Sequence, residues 1–494
     1  MSPATATPFA ARPPGACAPT PALQYAPRRP ETTVLYQLVR EHLQTMLAQA
    51  RDDSSHGFGL PRFVQDEFLR YLDCGMRAAG GFVRLRCDAC GHERLLAFSC
   101  KGRAVCPSCT TRRMHDVAVH LCGRVLPHVP YRQWVLSLPR HVRFRLARDP
   151  ALVSAVLAVF LRSVFAWQRR RARAAGVARP LCGSITFVQR FGSALNLNVH
   201  FHALLPDGVF SVDADGALDC HELAAPTDED LLALTHKIIR RVDKLVARAS
   251  DAEDDPVGTD ALAPAQAASV QIRVAAALKP PAPWPSERCA FVRGFSLHAN
   301  VHVPARDRQG LERLCSYGAR PPLAQSRLER RDDGTLLLHL KRPRRSGAAR
   351  LSFTPLELLG RLAVLVPPPR ANLTRYHGIF AAHAKARALV VPPPPGDPPE
   401  PPAADEPAAA TARAPSYRVP WAELLAKVFR VDVLFCERCG GRLRVLAYLT
   451  DPPVVRAILE HLGLPSTAPR AASARASPDP ADAGPSEAFS DDPA

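Results

Sequence analysis

The chain has 494 residues, 47% apolar and 22% charged, the proportions of a globular protein with room for two or three domains. Lys and Arg number 64 against 46 Asp and Glu, a net charge of +18, which points to a polyanionic partner, with a merely solvated basic surface as the bland alternative. No apolar run approaches the ~18 residues of a membrane span, the first twenty residues lack the pattern of a signal peptide, and 14 cysteines in a chain of this length suit a reducing compartment and metal ligation rather than a disulfide framework.

Residues 1–30 are rich in Pro and Ala and read as a disordered tail. Apolar residues at helical spacing predict helices from Glu31 to about Gln49 and from Phe63 to Met76. A short Cys-rich stretch, 82–113, precedes helices at 116–126 and 150–175. The β-branched and aromatic run 184–190, a turn at 191–195 and the alternating run 196–205, closed by Asp207 and Gly208, predict two paired strands. An amphipathic helix at 228–249 follows, then a loop or insertion at 251–269. Strands are expected near 290–303 and 335–342, and a helix from Pro355 to Val366. Residues 390–415 are a Pro/Ala linker, and a small unit at 417–463 precedes a low-complexity tail.

Two cysteine pairs, Cys87/Cys90 and Cys106/Cys109, are separated by fifteen residues. This is zinc-ribbon spacing: each pair turns two thiolates toward one point, and four thiolates leave no open position, so such a zinc ion is structural. Cys100 and His92 are competing donors. Arg84, Arg86, Arg94, Lys101, Arg103, Arg112 and Arg113 surround the stretch with charge suited to phosphate. A third pair, Cys436 and Cys439, is a half-site with only His461 as a weak nearby partner.

His200 and His202 flank Phe201 on the second predicted strand. Alternation puts both imidazoles on one side of the sheet, ~7 Å apart along the strand, where one ion can bridge them. Gln189 on the preceding strand is a candidate third ligand. The bland alternative is a pair of hydrogen-bonded core histidines. Tyr376 follows a Pro-rich turn and begins a stretch readable as a helix. A phenol with help from a divalent ion, and with Arg375 beside it for phosphate charge, can attack phosphorus; otherwise Tyr376 is an ordinary packed tyrosine. The basic run from Lys341 and Arg342 to Arg345 is a further candidate for DNA contact.

Four motifs in order, CDACGHERLLAFSCKGRAVCPSC, VQRFGSALNLNVHFHALLPDGVF, PPPRANLTRYHGIFAAH and FCERCGGRLRVLA, resemble the rolling-circle insertion-sequence transposases of the IS91 and ISCR type, over residues 31–465. The resemblance implies an HUH endonuclease (His-hydrophobic-His), with His200 and His202 holding a divalent cation, Tyr376 as nucleophile and a zinc module at 87–109. Some members carry two tyrosines four residues apart. Here Phe380 stands four residues after Tyr376, so successive strand transfers would need a homodimer or a reset of Tyr376. His377 rivals Gln189 as third ligand. Imidazole suits manganese, nickel or zinc, whereas Mg2+ is abundant and takes phosphate oxygen and water as further ligands.

The resulting expectation is an α+β protein: a disordered tail (1–30), a helical and zinc-binding domain (31–125), a catalytic domain built on an antiparallel HUH-type sheet with flanking helices (126–389), a Pro/Ala linker (390–416), a small CxxC unit (417–465) and a second disordered tail (466–494). Its expected cofactors are structural Zn2+ and catalytic Mg2+ or Mn2+. Its expected partners are single-stranded element ends and target DNA in the bacterial cytoplasm, with no membrane. The competing readings are a non-catalytic zinc-dependent DNA-binding regulator and a replication initiator with the same chemistry.

Overall fold

In the computed structural model of the protein the described residues are 28–54, 57–251, 261–271, 287–341, 348–391 and 431–475, with Ala422, Leu425 and Ala426. Most of the expected N-terminal tail, the linker from residue 392, Arg342 and residues 476–494 lie outside them.

The helices begin where the sequence supplies caps. Thr33 accepts a hydrogen bond from the Tyr36 amide to open α1 (Val34–Asp52), and α2 is Arg62–Asp73. A short α3 (Arg77–Gly80) leads to the hairpin β1 (Phe82–Cys87) and β2 (Glu93–Ala97). Next comes α4 (Pro107–His120), prolonged by a π turn over Leu121–Val125. After β3 (Tyr131–Ser137) and α5 (Arg140–Arg148), Asp149 caps α6 (Pro150–Ala174), with Pro150 in the first turn, where its missing N–H costs nothing. A stretch of α6 is long and apolar enough to match a bilayer span, but 61% of it is buried inside the protein, as befits a core helix.

The strands β4 (Gly183–Phe191) and β5 (Leu197–Pro206) form the expected hairpin, followed by the ribbon β6 (Gly208–Val212) and β7 (Leu218–Glu222). Then come α7 (Asp228–Asp251), α8 (Leu262–Gln271), β8 (Cys289–Val292), β9 (Phe295–Val303) and α9 (Arg308–Gly318). The strands β10 (Leu328–Arg330), β11 (Leu336–His339) and β12 (Arg350–Phe353) form a small sheet. It is followed by α10 (Pro355–Leu365), opened by a Thr354/Glu357 capping box, β13 (Thr374–Gly378) and α11 (Arg387–Val390). Beyond the linker, β14 (Leu443–Leu449) and α12 (Pro452–His461) complete the described elements.

The protein is therefore α+β with antiparallel sheets. Its centre is a six-stranded sheet in the order β13-β4-β5-β3-β9-β8, and antiparallel alternation gives it two faces. One face carries Val199, Phe201, Ala203 and Leu205 with Trp134 and Leu136, buried in one core with α6 and α7. Phe160 and Trp167 of α6 lie 6.5 and 5.6 Å from Phe201 and Trp134. The opposite face carries Ile185, Phe187 and Leu204, covered by Leu311 and Cys315 of α9 and by Ala118 and Leu121 at α4.

Three expectations change. Residues 262–271, expected within a loop, form α8, whose Ser269 hydroxyl accepts from the Leu197 amide at the start of β5. Tyr376 lies on an edge strand rather than opening a helix. Residues 471–475, expected in the tail, run back along α1, with Ala472 N–H on Arg40 O and Arg475 N–H on Thr45 Oγ1.

The central hairpin is fastened by one buried ion pair. Arg132 on β3 grips Asp207 at the end of β5 with Nε at 2.8 Å and Nη2 at 2.5 Å, and gives Nη1 to Ala299 O at 3.0 Å. The two side chains are 6% and 15% exposed, so removing Arg132 leaves the buried Asp207 with the His302 imidazole at 3.5 Å in place of a bidentate guanidinium. Arg132→Met is expected to cost about 3 kcal/mol in urea unfolding; a loss below ~1 kcal/mol would show the pair to be dispensable.

Candidate active site and metal centres

His200 and His202 point to the face that α9 covers, as alternation requires. Their rings are 4.9 Å apart between centroids. His200 stands opposite Gln189 on β4 and Ser137 on β3, and His202 opposite Phe187 and Val135. Beyond Val135, on β9, comes His298, which the sequence reading did not single out. It shares the row of His202 and carries the same chemistry.

The hydrogen bonding suits a cation. The Asn198 carbonyl can only accept, so its 2.8 Å contact with His200 Nδ1 fixes the proton there and leaves the lone pair on Nε2. Both nitrogens of His202 and Oε1 of Gln189 are buried without a partner among the described residues. Gln189 is oriented by its amide nitrogen, which donates to the carbonyls of Tyr317 and Gly318, each at 2.9 Å. Burial pushes His200 down to about 4, with Arg143 and Arg320 adding to the effect against the Asn198 hydrogen bond. Burial, then the neighbouring His200, Arg320 and His298, holds His202 well below the usual imidazole range. Both are neutral near pH 7, the form that binds metal.

The tyrosine beside this pair is Tyr317, at the C-terminal end of α9. Its ring lies 5.6 Å from that of His202 and it remains 42% exposed. The Arg320 guanidinium stacks over it at 4.4 Å. Arg320 and Arg327 lie close enough to Lys341 that, after burial, they lower its affinity for a proton. The helix descends this far because residue 318 is glycine: a Cβ there would come within 2.3 Å of the Phe187 ring.

Tyr376 is not at the pair. Opposite Ile185 on the edge strand, it shares the histidine face but lies two strands and two residues away, roughly 12 Å between Cα atoms. Phe187 of the intervening strand occupies the same face, capped by Gly318. The Tyr376 ring instead packs on the Ile379 and Phe380 cluster, 6.0 Å from the Arg387 guanidinium, and burial raises its pKa. It borders a cleft of about 730 Å3 with Arg375, His377 and Arg370. Arg375 donates to Ser154 Oγ at 2.8 Å. His377, the rival third ligand, alternates to the other side of the strand from the histidine pair. Phe380 is fully buried.

The cysteines form two clusters rather than the expected one. Cys74, Cys100, Cys106 and Cys109 converge, as do Cys87, Cys90, Cys436 and Cys439, the sulfurs of each group within 4.8 Å of one another. Cys87 and Cys90 therefore do not share a site with Cys106 and Cys109. They sit at the tip of the β1–β2 hairpin, ~20 Å of strand away from its base, where Cys100 returns to Cys74 at the end of α2 and to Cys109 on α4. Of the other candidates, His92 pairs with Glu437 at 3.7 Å and His461 belongs to neither cluster. Arg112 and Arg113 lie on α4 beside the first cluster, Arg113 donating to Lys101 O at 3.1 Å. The CxxC spacing located the second cluster's halves, whereas Cys74, a lone cysteine in the sequence, carried no signal.

Comparison with known families adds two matches. Residues 39–138 match the "Transposase zinc-binding domain" model and residues 183–387 the model described as "Putative transposase". The first match and the thiolate clusters support structural zinc, and the second supports a DNA-cleaving enzyme. No curated protein and no solved structure matches the chain.

The buried imidazoles carry a pH dependence. Between the ordinary value of 6.5 and about 4, the unfolded chain takes up a proton that folded His200 refuses. The associated stability is thus complete above pH 6.5 and lost as pH falls toward 4, at most about 3 kcal/mol. In His200→Asn, without added divalent ion, unfolding free energy should vary less steeply with pH over this window. Equal slopes for variant and parent would refute the assignment.

Proposed function

Because the chain belongs to the IS91-type transposases and carries their zinc-binding domain toward its N-terminal end, we propose that it nicks and rejoins single-stranded DNA with Tyr317 as nucleophile beside a divalent ion. The observation that carries this reading is the contact of Tyr317 with His202, in a place where the His202 ring and the Gln189 carbonyl oxygen are buried without partners among the described residues. His200 Nε2, His202 and Gln189 Oε1 would hold the ion, Mg2+ or Mn2+. Bound there, it would polarise the scissile phosphate as a Lewis acid.

The residues of the chain do the rest. The Tyr317 oxygen attacks phosphorus and loses its proton, the new O–P bond forms, and the P–O3′ bond breaks, the 3′ oxygen taking up a proton. The product is a 5′-phosphotyrosine and a free 3′-hydroxyl. The phosphodiester energy is conserved, so rejoining needs no nucleotide. Arg320, stacked on the ring, stabilises developing phenolate and phosphate charge, while Arg327 and Lys341 extend the positive surface along which a strand can lie. Gln189 would link such an ion to the helix that bears Tyr317, since the same amide donates to the Tyr317 carbonyl.

The biological act in this reading is rolling-circle movement of an element between single-stranded ends and target in the bacterial cytoplasm. One tyrosine at the pair means that successive transfers use a second copy of the chain or a reset of Tyr317. The Arg375 and Tyr376 cleft then serves as a DNA contact rather than as the reacting centre.

Incubation with single-stranded element-end DNA and Mn2+ should give a denaturant-stable protein–DNA adduct. Tyr317→Phe should abolish it, His202→Ala should reduce it at least a hundredfold, and Tyr376→Phe should retain it. Loss of the adduct in Tyr376→Phe with retention in Tyr317→Phe would return the nucleophile to position 376, and no adduct in the parent would sink the enzymatic reading.

A further inference from the structure

The second cysteine cluster draws half its ligands from outside the zinc-binding match, which ends at residue 138. Its two halves are copies of one local design. In Cys87–Gly91 the Gly91 amide donates to Cys87 O at 3.0 Å, and in Cys436–Gly440 the Gly440 amide donates to Cys436 O at 2.9 Å. Both glycines hold positive φ, 69° and 73°, the conformation that lets a CxxC turn close and aim both sulfurs one way. The turns face each other: Cys87 Sγ lies 3.5 Å from Cys439 Sγ, and Cys90 Sγ 3.7 Å from Cys436 Sγ. Four sulfurs at ~2.3 Å from a tetrahedral zinc ion lie ~3.8 Å apart, whereas a disulfide would bring a pair to ~2.05 Å.

The surroundings hold the two turns together. β14 pairs with β1 in register from Phe82↔Leu449 to Cys87↔Leu443. Asp88 receives Arg444 at 2.5 Å, and Glu437 meets Arg94 at 3.3 Å. Val83, Leu85, Cys87, Cys436 and Leu443 form a small core of their own. Val455 and Leu459 of α12 pack on Phe82 in a second small cluster, and residues 471–475 return to α1; apolar clusters of this size add little stability by themselves, whereas a closed tetrathiolate site supplies folding free energy directly.

We propose that Cys87, Cys90, Cys436 and Cys439 bind a second structural zinc ion, which clasps residues 431–475 to the N-terminal module from the far side of the catalytic domain in sequence. The protein is a two-zinc enzyme: one ion is local to Cys74–Cys109, the other is assembled from turns some 346 residues apart. Loss of the second ion releases the C-terminal unit and leaves the first site filled.

Metal analysis of the full chain purified without chelator should find two zinc ions per chain. Cys436→Ser/Cys439→Ser and Cys87→Ser/Cys90→Ser should each bind one, and Co2+ substituted into the parent should show the absorption of tetrahedral tetrathiolate at two sites. With a protease site placed within residues 396–410, the cut fragments should stay together on gel filtration in the parent and separate in Cys436→Ser/Cys439→Ser. One zinc ion in the parent, two in both double variants, or fragments that separate with both ions retained would each overturn the proposal. The cut-fragment arm decides the matter if a variant folds poorly, and none of these readouts depends on DNA cleavage.

Discussion

Everything at the histidine site depends on one constraint, the parity of an antiparallel strand. His200 and His202 differ by two positions, so they share a face, and the Phe201 between them is committed to the opposite core beside Phe160. The face they share is covered by the end of α9, which desolvates the imidazoles, keeps them neutral and leaves the His202 ring without a protein partner among the described residues. Burying uncompensated polar atoms is costly, and here the cost falls on His202 and Gln189, on adjacent strands of one face. A cation could take one lone pair from each.

Much of this was legible in sequence because it is local. Alternation at 196–205 gave the strand, its face and the cross-strand neighbour Gln189, and helical spacing gave α1, α6, α7 and α10 within a few residues. Tyr317 was not legible. It lies on a short amphipathic helix more than a hundred residues from the histidines, and only the packing of α9 on Phe187 brings it there. Tyr376 drew attention through its basic and Pro-rich setting, which marks an exposed edge strand as readily as a helix start. The strand β3, which separates β5 from β9 and so creates the row from His202 to His298, has few sequence markers beyond its aromatic residues.

The cysteines teach a related lesson. Spacing within a pair reports the shape of a turn and is reliable, whereas spacing between pairs assumes that neighbours in sequence pair in space. A six-residue hairpin arm was enough to break that assumption, because it carries one pair to the tip and leaves the next at the base. The CxxC-Gly signature shared by residues 87–91 and 436–440 was the better guide to partnership.

The glycine after Tyr317 acts mechanically through its small size. With a hydrogen atom at position 318 the helix end rests directly on an aromatic ring of the sheet, so that ring acts as the bearing on which the tyrosine's height is set. A methyl group inserted there would lift the lever and raise the hydroxyl and the two carbonyls that steer Gln189 together, altering reach and coordination in a single motion. The tolerance of the histidine face is thus decided beside Tyr317, by a side chain that is absent.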